Sequence, residues 1–410
     1  MIQIKDKKDC CGCGACMNAC PHKCIDMVPD EEGFLYPFVD ATKCVNCNLC
    51  EKVCPIINVK PDKPFAQTAY VMQHKDEQVR HESTAGGAFT AIAEWFIQQG
   101  GVVFGASYDA DFMVEHSYAE SLEGLSKFRN SKYVQSNIGD TFQKVKEYLR
   151  QGRWVCFSGT PCQTEGLKTY LGKEYEKLIT VDVVCHGIPS PLAWRKYLEM
   201  QKEKLGEFSQ VLFRDKHYGY KYSTMSFFDR TGKNIYAYGI DTDPMTRAFF
   251  SDICDRPACY DCVFKKRYRV SDFTIWDCYS VFQFDKRLDD DKGTTRVLIH
   301  SDKGRQLFEK IKDTVKWTEV TADELTAGVR EMVKSVGTNP KRDEFFTDAH
   351  FMSGTALYEK YFPETAKVKL ARFARVGLCR LGIYAFVKRM ITRIKSVSYT
   401  HLTLPTTPYV

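Results

Sequence analysis

Eight of the ten cysteines within the first 54 residues constrain this chain more than any other feature. They form two runs, Cys10-x-x-Cys13-x-x-Cys16-x-x-x-Cys20-Pro21 and Cys44-x-x-Cys47-x-x-Cys50-x-x-x-Cys54-Pro55, and each cysteine of the first recurs in the second at an offset of 34 residues. Three thiolates spaced two residues apart let one loop wrap three corners of an iron–sulfur cube. The fourth, before proline, serves the cluster of the other run. Thiolates are soft ligands suited to such clusters. The spacing therefore predicts two 4Fe–4S clusters with crossed ligation. Cluster I takes Cys10, Cys13, Cys16 and Cys54, and cluster II takes Cys44, Cys47, Cys50 and Cys20. Zinc needs one set of four ligands, usually as two separated pairs, and does not call for this doubled pattern. A disulfide framework belongs to small secreted chains.

Secretion is not indicated either, because the opening Met1 to Asp9 has no apolar run. With 18 cysteines and no leader, a reducing compartment is expected. No stretch is apolar and uncharged for the roughly 18 residues that a spanning helix needs. The expected location is cytoplasmic. The net charge of +6 hides an asymmetry: residues 367–395 hold nine Lys or Arg and no acid, which leaves the remainder at −3. A mildly acidic body with one basic end gives no ground for nucleic-acid binding, and none is expected.

Residues 1–60 read as an α+β ferredoxin-like module built by internal duplication. Ile25 to Val28 and Phe34 to Val39 flank Pro29-Asp30-Glu31-Glu32-Gly33, a hairpin signal. Pro61 to Pro64 marks a linker. From Ala66 strands alternate with helices: strands at Thr68, Val102, Trp154 and Leu178, and helices after Gly87, from Thr141, from Glu165 and after Pro191. Such alternation predicts an α/β domain with a mixed, largely parallel sheet. A β-rich part follows from Val211 to Tyr238, and strand and helix return after Asp272.

Ser83-Thr84-Ala85-Gly86-Gly87 opens a helix, and hydroxyls and glycines there suit a phosphate. Ordinary capping uses the same residues. Gly159-Thr160-Pro161-Cys162-Gln163 and Val184-Cys185-His186-Gly187 each follow a strand, and Cys259-x-x-Cys262 comes later with Cys254 nearby. Adjacent parallel strands end at one sheet edge, where ligands gather. Cys162, Cys185, Cys259 and Cys262 are thus candidates for a third four-thiolate site. Zinc and unpaired buried cysteines are the alternatives.

Together these segments resemble the beta subunits of coenzyme-deazaflavin-reducing hydrogenases and dehydrogenases, including the plant hydroxymethyl-chlorophyll reductases. The resemblance rests on S-T-A-G-G-A-F (83–89), S-K-Y-V-Q-S (131–136), G-T-P-C-Q (159–163) and V-C-H-G-I-P-S (184–190). It continues through F-R-D-K (213–216), C-Y-D-C (259–262), R-V-S-D-F-T-I (269–275) and D-K-G-T-T (291–295). It implies an α/β flavin-binding reductase domain over residues 66–350 that takes FAD. Ser83, Thr84, Gly86 and Gly87 would hold the pyrophosphate with Lys132 as the nearby cation, and a third 4Fe–4S cluster would lie at Cys162, Cys185, Cys259 and Cys262, with Cys254 as substitute. Where the family carries an aromatic pair, this chain has Trp276-Asp277-Cys278-Tyr279. His186 is the candidate proton donor beside Lys132, against a structural histidine. Arg267, Arg269 and Asp272 read either as anion contacts or as an ion-pair network. Cys11, Cys24, Cys156, Cys278 and Cys379 read as packing residues.

The expected function is an oxidoreductase that relays electrons between an external donor, the clusters and FAD, to reduce or oxidise a small-molecule substrate beside a redox partner protein or subunit. The rivals are a non-catalytic electron-transfer subunit and a cluster-based redox sensor. Residues 366–396 read as one basic amphipathic helix suited to peripheral contact with an anionic membrane or to a partner, with a soluble packing helix as the alternative. Residues 397–410 are charge-free and Thr/Pro-rich, resemble translated sequencing adapter, and are left out of the fold reading.

Overall fold

The computed structural model describes residues 1–390. The expected segment 397–410 and the end of the basic helix lie outside the described residues. The amino-terminal module carries one hairpin, β1 (Ile25–Pro29) and β2 (Leu35–Val39), paired antiparallel around Gly33, whose φ is +83°. Its duplication is visible in the backbone. The short helices Ala15–Ala19 and Leu49–Lys52 stand one repeat apart. The loops before them turn through left-handed residues at matching positions, Gly12 and Asn46, then Gly14 and Asn48. A loop that curls around a cube needs such turns, and Gly and Asn adopt them at least cost.

The body is built on an eight-stranded sheet. Its strands are β3 (Thr68–His74), β4 (Val102–Tyr108), β5 (Val114–Ala119), β6 (Val155–Gly159) and β7 (Leu178–Val183), followed after an insertion by β11 (Phe273–Asp277), β12 (Thr295–Ile299) and β13 (Val315–Val320). The order is β13-β3-β12-β11-β7-β6-β4-β5. The four central strands β11, β7, β6 and β4 run parallel, and antiparallel strands flank them on both sides. Runs such as Val155-Cys156-Phe157 are fully buried, as central parallel strands with both faces covered require. The insertion adds a three-stranded antiparallel sheet of β8 (Gln210–Asp215), β9 (Thr224–Phe228) and β10 (Asn234–Gly239).

The body extends beyond the expected boundary at 350. Helix Gly354–Tyr361 lies on helix Pro191–Leu205, where Tyr358 donates to the Ala193 carbonyl at 2.9 Å and Gly354 leaves no room for a β-carbon against Lys196. The basic segment is broken rather than continuous. Helix Ala366–Arg380 ends where Gly382 adopts φ +69° and the Ile383 amide reaches back to the Leu378 carbonyl at 3.0 Å. A glycine in the left-handed conformation closes a helix this way. A second helical run occupies residues 384–390.

The module is set into the body, not tethered to it. The Arg256 side chain is 1% exposed, donates to the carbonyls of Cys10 at 2.7 Å and Leu35 at 3.0 Å, and lies 4.1 Å over the Tyr36 ring. Arg342 pairs with Glu32, and Thr169 donates to the Val53 carbonyl at 2.7 Å. A β-carbon on Gly166 would stand 2.9 Å from the Cys13 sulfur, so a glycine there lets helix Pro161–Leu171 approach the first cysteine loop.

Candidate functional site

The cysteines of the two runs separate into two groups. Burial, with Cys10 and Cys54 beside it, pushes the Cys16 thiol up to about 12. Burial likewise raises Cys54, with Cys10 and Cys50 adding to the effect. Cys54 is thus near Cys10 and Cys16, with Cys50 also close to it, and Cys13 neighbours Cys10 and Cys16. The other four, Cys20, Cys44, Cys47 and Cys50, line one small hollow. Cys24 shares that hollow: its sulfur is 3.3 Å from that of Cys20, and this contact, ahead of burial, pushes the Cys24 thiol up to about 12. Packing alone does not describe it. Cys16, Cys24 and Cys54, whose thiols resist ionising, belong to donor sets that a cluster of iron cations would relieve.

A third group forms where the central strands end. Cys162 sits in the first turn of helix Pro161–Leu171, which follows β6 and is closed by a capping box of Thr160 and Gln163. Cys185 follows β7, and Cys259 and Cys262 come from the turn after Pro257. Burial pushes Cys185 up to about 12, with Cys162 and Cys262 contributing, and Cys259 feels Cys185, Cys262 and Cys162 together. Cys254 is elsewhere, fully buried in the core around Trp194 and Tyr358. Cys11 lies near both Cys13 and Cys162, each of which acts on its thiol, so it stands beside the first and third groups at once.

Beyond Cys185 the sheet edge opens into a cavity of about 710 Å³. Ser83, Thr84, Gly87, Lys132 and His186 all reach its wall. Gly87 (φ +83°) begins helix Ala88–Gln98, which has no side-chain cap, so its first turn presents amides to the cavity. Gly86 does not line it. Its amide donates to Thr295 Oγ1 at 2.8 Å, and a β-carbon there would crowd the β3 backbone, so its role is close chain packing. Thr84 Oγ1 accepts from the Ser131 amide at 2.7 Å, which ties the first motif to the one that carries Lys132. Lys132 Nζ donates only to the carbonyls of Arg129 and Asn130, each at 3.2 Å, and burial lowers it to about 7. His186 Nε2–H donates to Asp252 at 2.8 Å, which fixes the tautomer and leaves Nδ1 as the basic nitrogen. Asp255, buried and with both oxygens unpartnered, completes a trio with these two within 4.8 Å.

The wall holds polar groups that sequence reasoning missed. His116 Nδ1, Trp276 Nε1 and Arg214 Nε are buried there without a hydrogen-bond partner. Burial lowers His116 to about 4, which keeps it neutral. Arg214 lay in a quoted motif, F-R-D-K, that signalled family but no role; His116 had no local pattern to betray it. Two orphaned donors, Trp276 Nε1 and Arg214 Nε, and one orphaned acceptor, His116 Nδ1 (its Nε2–H donates to the Ser158 carbonyl), on the wall of a large hollow fit a sizeable ligand with heteroaromatic and anionic parts. Arg267, Arg269 and Asp272 are away from the cavity. Arg269 pairs with Asp182 at 3.1 Å and Asp272 accepts from the Thr180 amide, both buried, whereas Arg267 pairs at the surface with Asp323 at 2.6 Å.

Cysteine cages in a small module, set into an α/β body with a cavity at its strand ends, define an iron–sulfur redox protein. Residues 9–57 match the 4Fe–4S dicluster domain, and residues 152–324 match the family described as the C-terminal part of the coenzyme F420 hydrogenase/dehydrogenase beta subunit. Residues 152–324 thus belong to that beta-subunit family's C-terminal domain, and the dicluster module stands at the amino terminus. Over 63 residues it is 38% identical to an uncharacterized ferredoxin of Methanocaldococcus jannaschii, covering 15% of this chain and 80% of that one. An uncharacterized polyferredoxin-like protein of the same organism is 36% identical over 58 residues, 12% of this chain and 34% of that protein. Among solved structures, the F420-reducing [NiFe] hydrogenase complex of Methanosarcina barkeri contains a chain that aligns with a TM-score of 0.44 and 15% identity, over 73% of this chain and 94% of that one.

Proposed function

We propose that the chain is an oxidoreductase holding three 4Fe–4S clusters and FAD, which exchanges electrons between a redox partner protein and a small-molecule substrate in the cavity. The observation that carries this reading is the cavity at the strand ends: Cys185 lies in its wall, Cys162 and Cys262 are near enough to raise the Cys185 thiol, and Cys11 neighbours both Cys13 and Cys162. Cys10, Cys13, Cys16 and Cys54 would hold one cluster, Cys20, Cys44, Cys47 and Cys50 the second, and Cys162, Cys185, Cys259 and Cys262 the third. A zinc tetrahedron would set its sulfurs about 3.8 Å apart. No three of the last four thiols lie within 4.8 Å of one another among the described residues, which favours the wider cube. The clusters supply one-electron carriage and FAD links it to two-electron chemistry.

The chain's own groups position the ligand. The amides of helix Ala88–Gln98 and the Lys132 ammonium would bind the flavin pyrophosphate, since an uncapped amino terminus and a buried cation both favour an anion. His186, oriented by Asp252, would hold a proton at Nδ1 beside the reacting ring. The exposed Cys47 puts the second cage at the surface, where a partner would dock. Eighteen free cysteines support a reducing, cytoplasmic setting. A deazaflavin, after which the family is described, is the first substrate to assay.

Anaerobically purified protein should release about one FAD per chain on denaturation and hold about twelve iron atoms. A colourless supernatant with full iron would sink the reductase reading and leave an electron-transfer subunit. Eight irons with one zinc would remove the third cluster.

A further inference from the structure

We propose that helix Ala366–Arg380 and the run 384–390 are a docking surface for an anionic lipid bilayer. The observation is an inverted helix. Successive residues turn by about 100°, so Leu370, Phe373, Gly377 and Leu381 share one face and Arg372 and Arg375 the opposite one. A helix packed on a soluble protein turns its apolar face inward. This one keeps only small or medium apolar residues inward, Val368, Val376 and Cys379 being half-buried, and turns two cations in beside them: Arg372 lies 3.9 Å over the Tyr238 ring and Arg375 pairs with Asp241. Leu370, Phe373 and Leu381 point outward and are 68%, 79% and 72% exposed. No residue of this helix is buried.

The next run continues the pattern. Tyr384 packs 5.1 Å from Tyr222, and Arg389 pairs with Asp289 at 3.0 Å. Ile383, Phe386 and Met390 remain exposed. Six large apolar side chains thus stand in water within 21 residues, which marks an interaction surface.

Charge selects the occupant. Lys367, Lys369 and Arg380 are exposed and flank the apolar stripe, and residues 366–390 contain no Asp or Glu. An apolar stripe bordered by cations suits the headgroup boundary of an anionic leaflet. A second copy would bring the same cations face to face. The surface also adjoins the cavity: Lys388 lies 5.0 Å over the ring of Tyr279, a cavity-wall residue. Docking would therefore hold the cavity mouth beside the bilayer, whatever cofactor it takes.

The test is sedimentation of the full chain, with its clusters, against vesicles of phosphatidylcholine alone and of phosphatidylcholine with phosphatidylglycerol. The chain should pellet with the second and not the first. Leu370→Glu/Phe373→Glu and, separately, Lys367→Glu/Lys369→Glu should each reduce pelleting by about tenfold or more. Both pairs point outward, so cluster absorbance should be unchanged and serves as the folding control. Failure of the wild type to pellet with anionic vesicles, or equal pelleting of the variants, overturns the proposal. So does a wild-type mass in solution twice that of Leu370→Glu/Phe373→Glu, which would assign the face to a second copy.

Discussion

The two cysteine loops have the same spacing, the same left-handed turns and the same short helix, yet they occupy opposite environments. The first loop is buried against the body: Arg256 grips the Cys10 carbonyl, and Cys13 touches helix Pro161–Leu171. The second faces outward, with Cys47, Val45 and Leu49 exposed. A duplicated sequence has been given an inside and an outside by docking alone. The sequence repeat sets the loop geometry, and the surface each loop meets sets its environment. Under the proposed function the electron route would run from the surface through the second cage, the first cage and the third thiol group to the cavity.

The largest effect should come from exchanging the fourth ligands. Cys54→Ser should remove the EPR signal of the buried cage and slow electron delivery to the cavity by about a hundredfold or more. Cys20→Ser should damage only the exposed cage. Because Cys24 lies 3.3 Å from Cys20, the clean version is Cys20→Ser/Cys24→Ser. Damage from this pair confined to the cage of Cys10, Cys13 and Cys16 would refute the crossed grouping.

The difference between the loops was not legible beforehand, and the reason is separation along the chain. Cys-x-x-Cys geometry is local, so the cages and the β1–β2 turn could be read from ten residues at a time. Arg256 and Cys10 are 246 positions apart, and neither belongs to a pattern that points at the other. Cys11 and Cys24 read as packing residues for the same cause: each becomes chemical only beside Cys162 or Cys20. The alternation of strands and helices was readable as a sheet, with the sheet edge as the place for ligands. His116 and Arg214 were not, because lone polar residues acquire meaning only from the wall they share. The basic helix was visible as amphipathic; that its apolar side faces out is a property of what Arg372 and Arg375 find on the body.

A middle-sized effect should separate the two edges by stability. Glu32 and Arg342 form a buried pair across the docked edge, with both side chains about a tenth exposed. Glu32→Gln strands the Arg342 charge and should cost about 3 kcal/mol, the usual penalty for breaking a buried pair from one side. Asp40 and Lys43 make a comparable contact at the outer edge, at 2.9 Å but exposed. Asp40→Asn should leave thermal unfolding unchanged. Equal losses from the two substitutions would mean that the module is not docked as described.

The smallest effect concerns the far end of the same route. Burial lowers Lys132 to about 7, so in the free protein it is charged below that pH and neutral above it. An anion in the cavity favours the charged form, so binding takes up a proton whenever the pH lies above the free value. Flavin affinity should then be flat below about pH 7 and fall by up to tenfold per pH unit above it, until the bound-state value is reached. Lys132→Met should weaken binding and remove the slope. Lys132→Arg, always charged, should remove the slope while keeping affinity. Lys132 lies in the cavity wall and not in the hollow of the outer cage, so electron entry from a partner should not share this pH profile. A slope that survives in Lys132→Met would place the titrating cation elsewhere on the wall and detach Lys132 from the pyrophosphate.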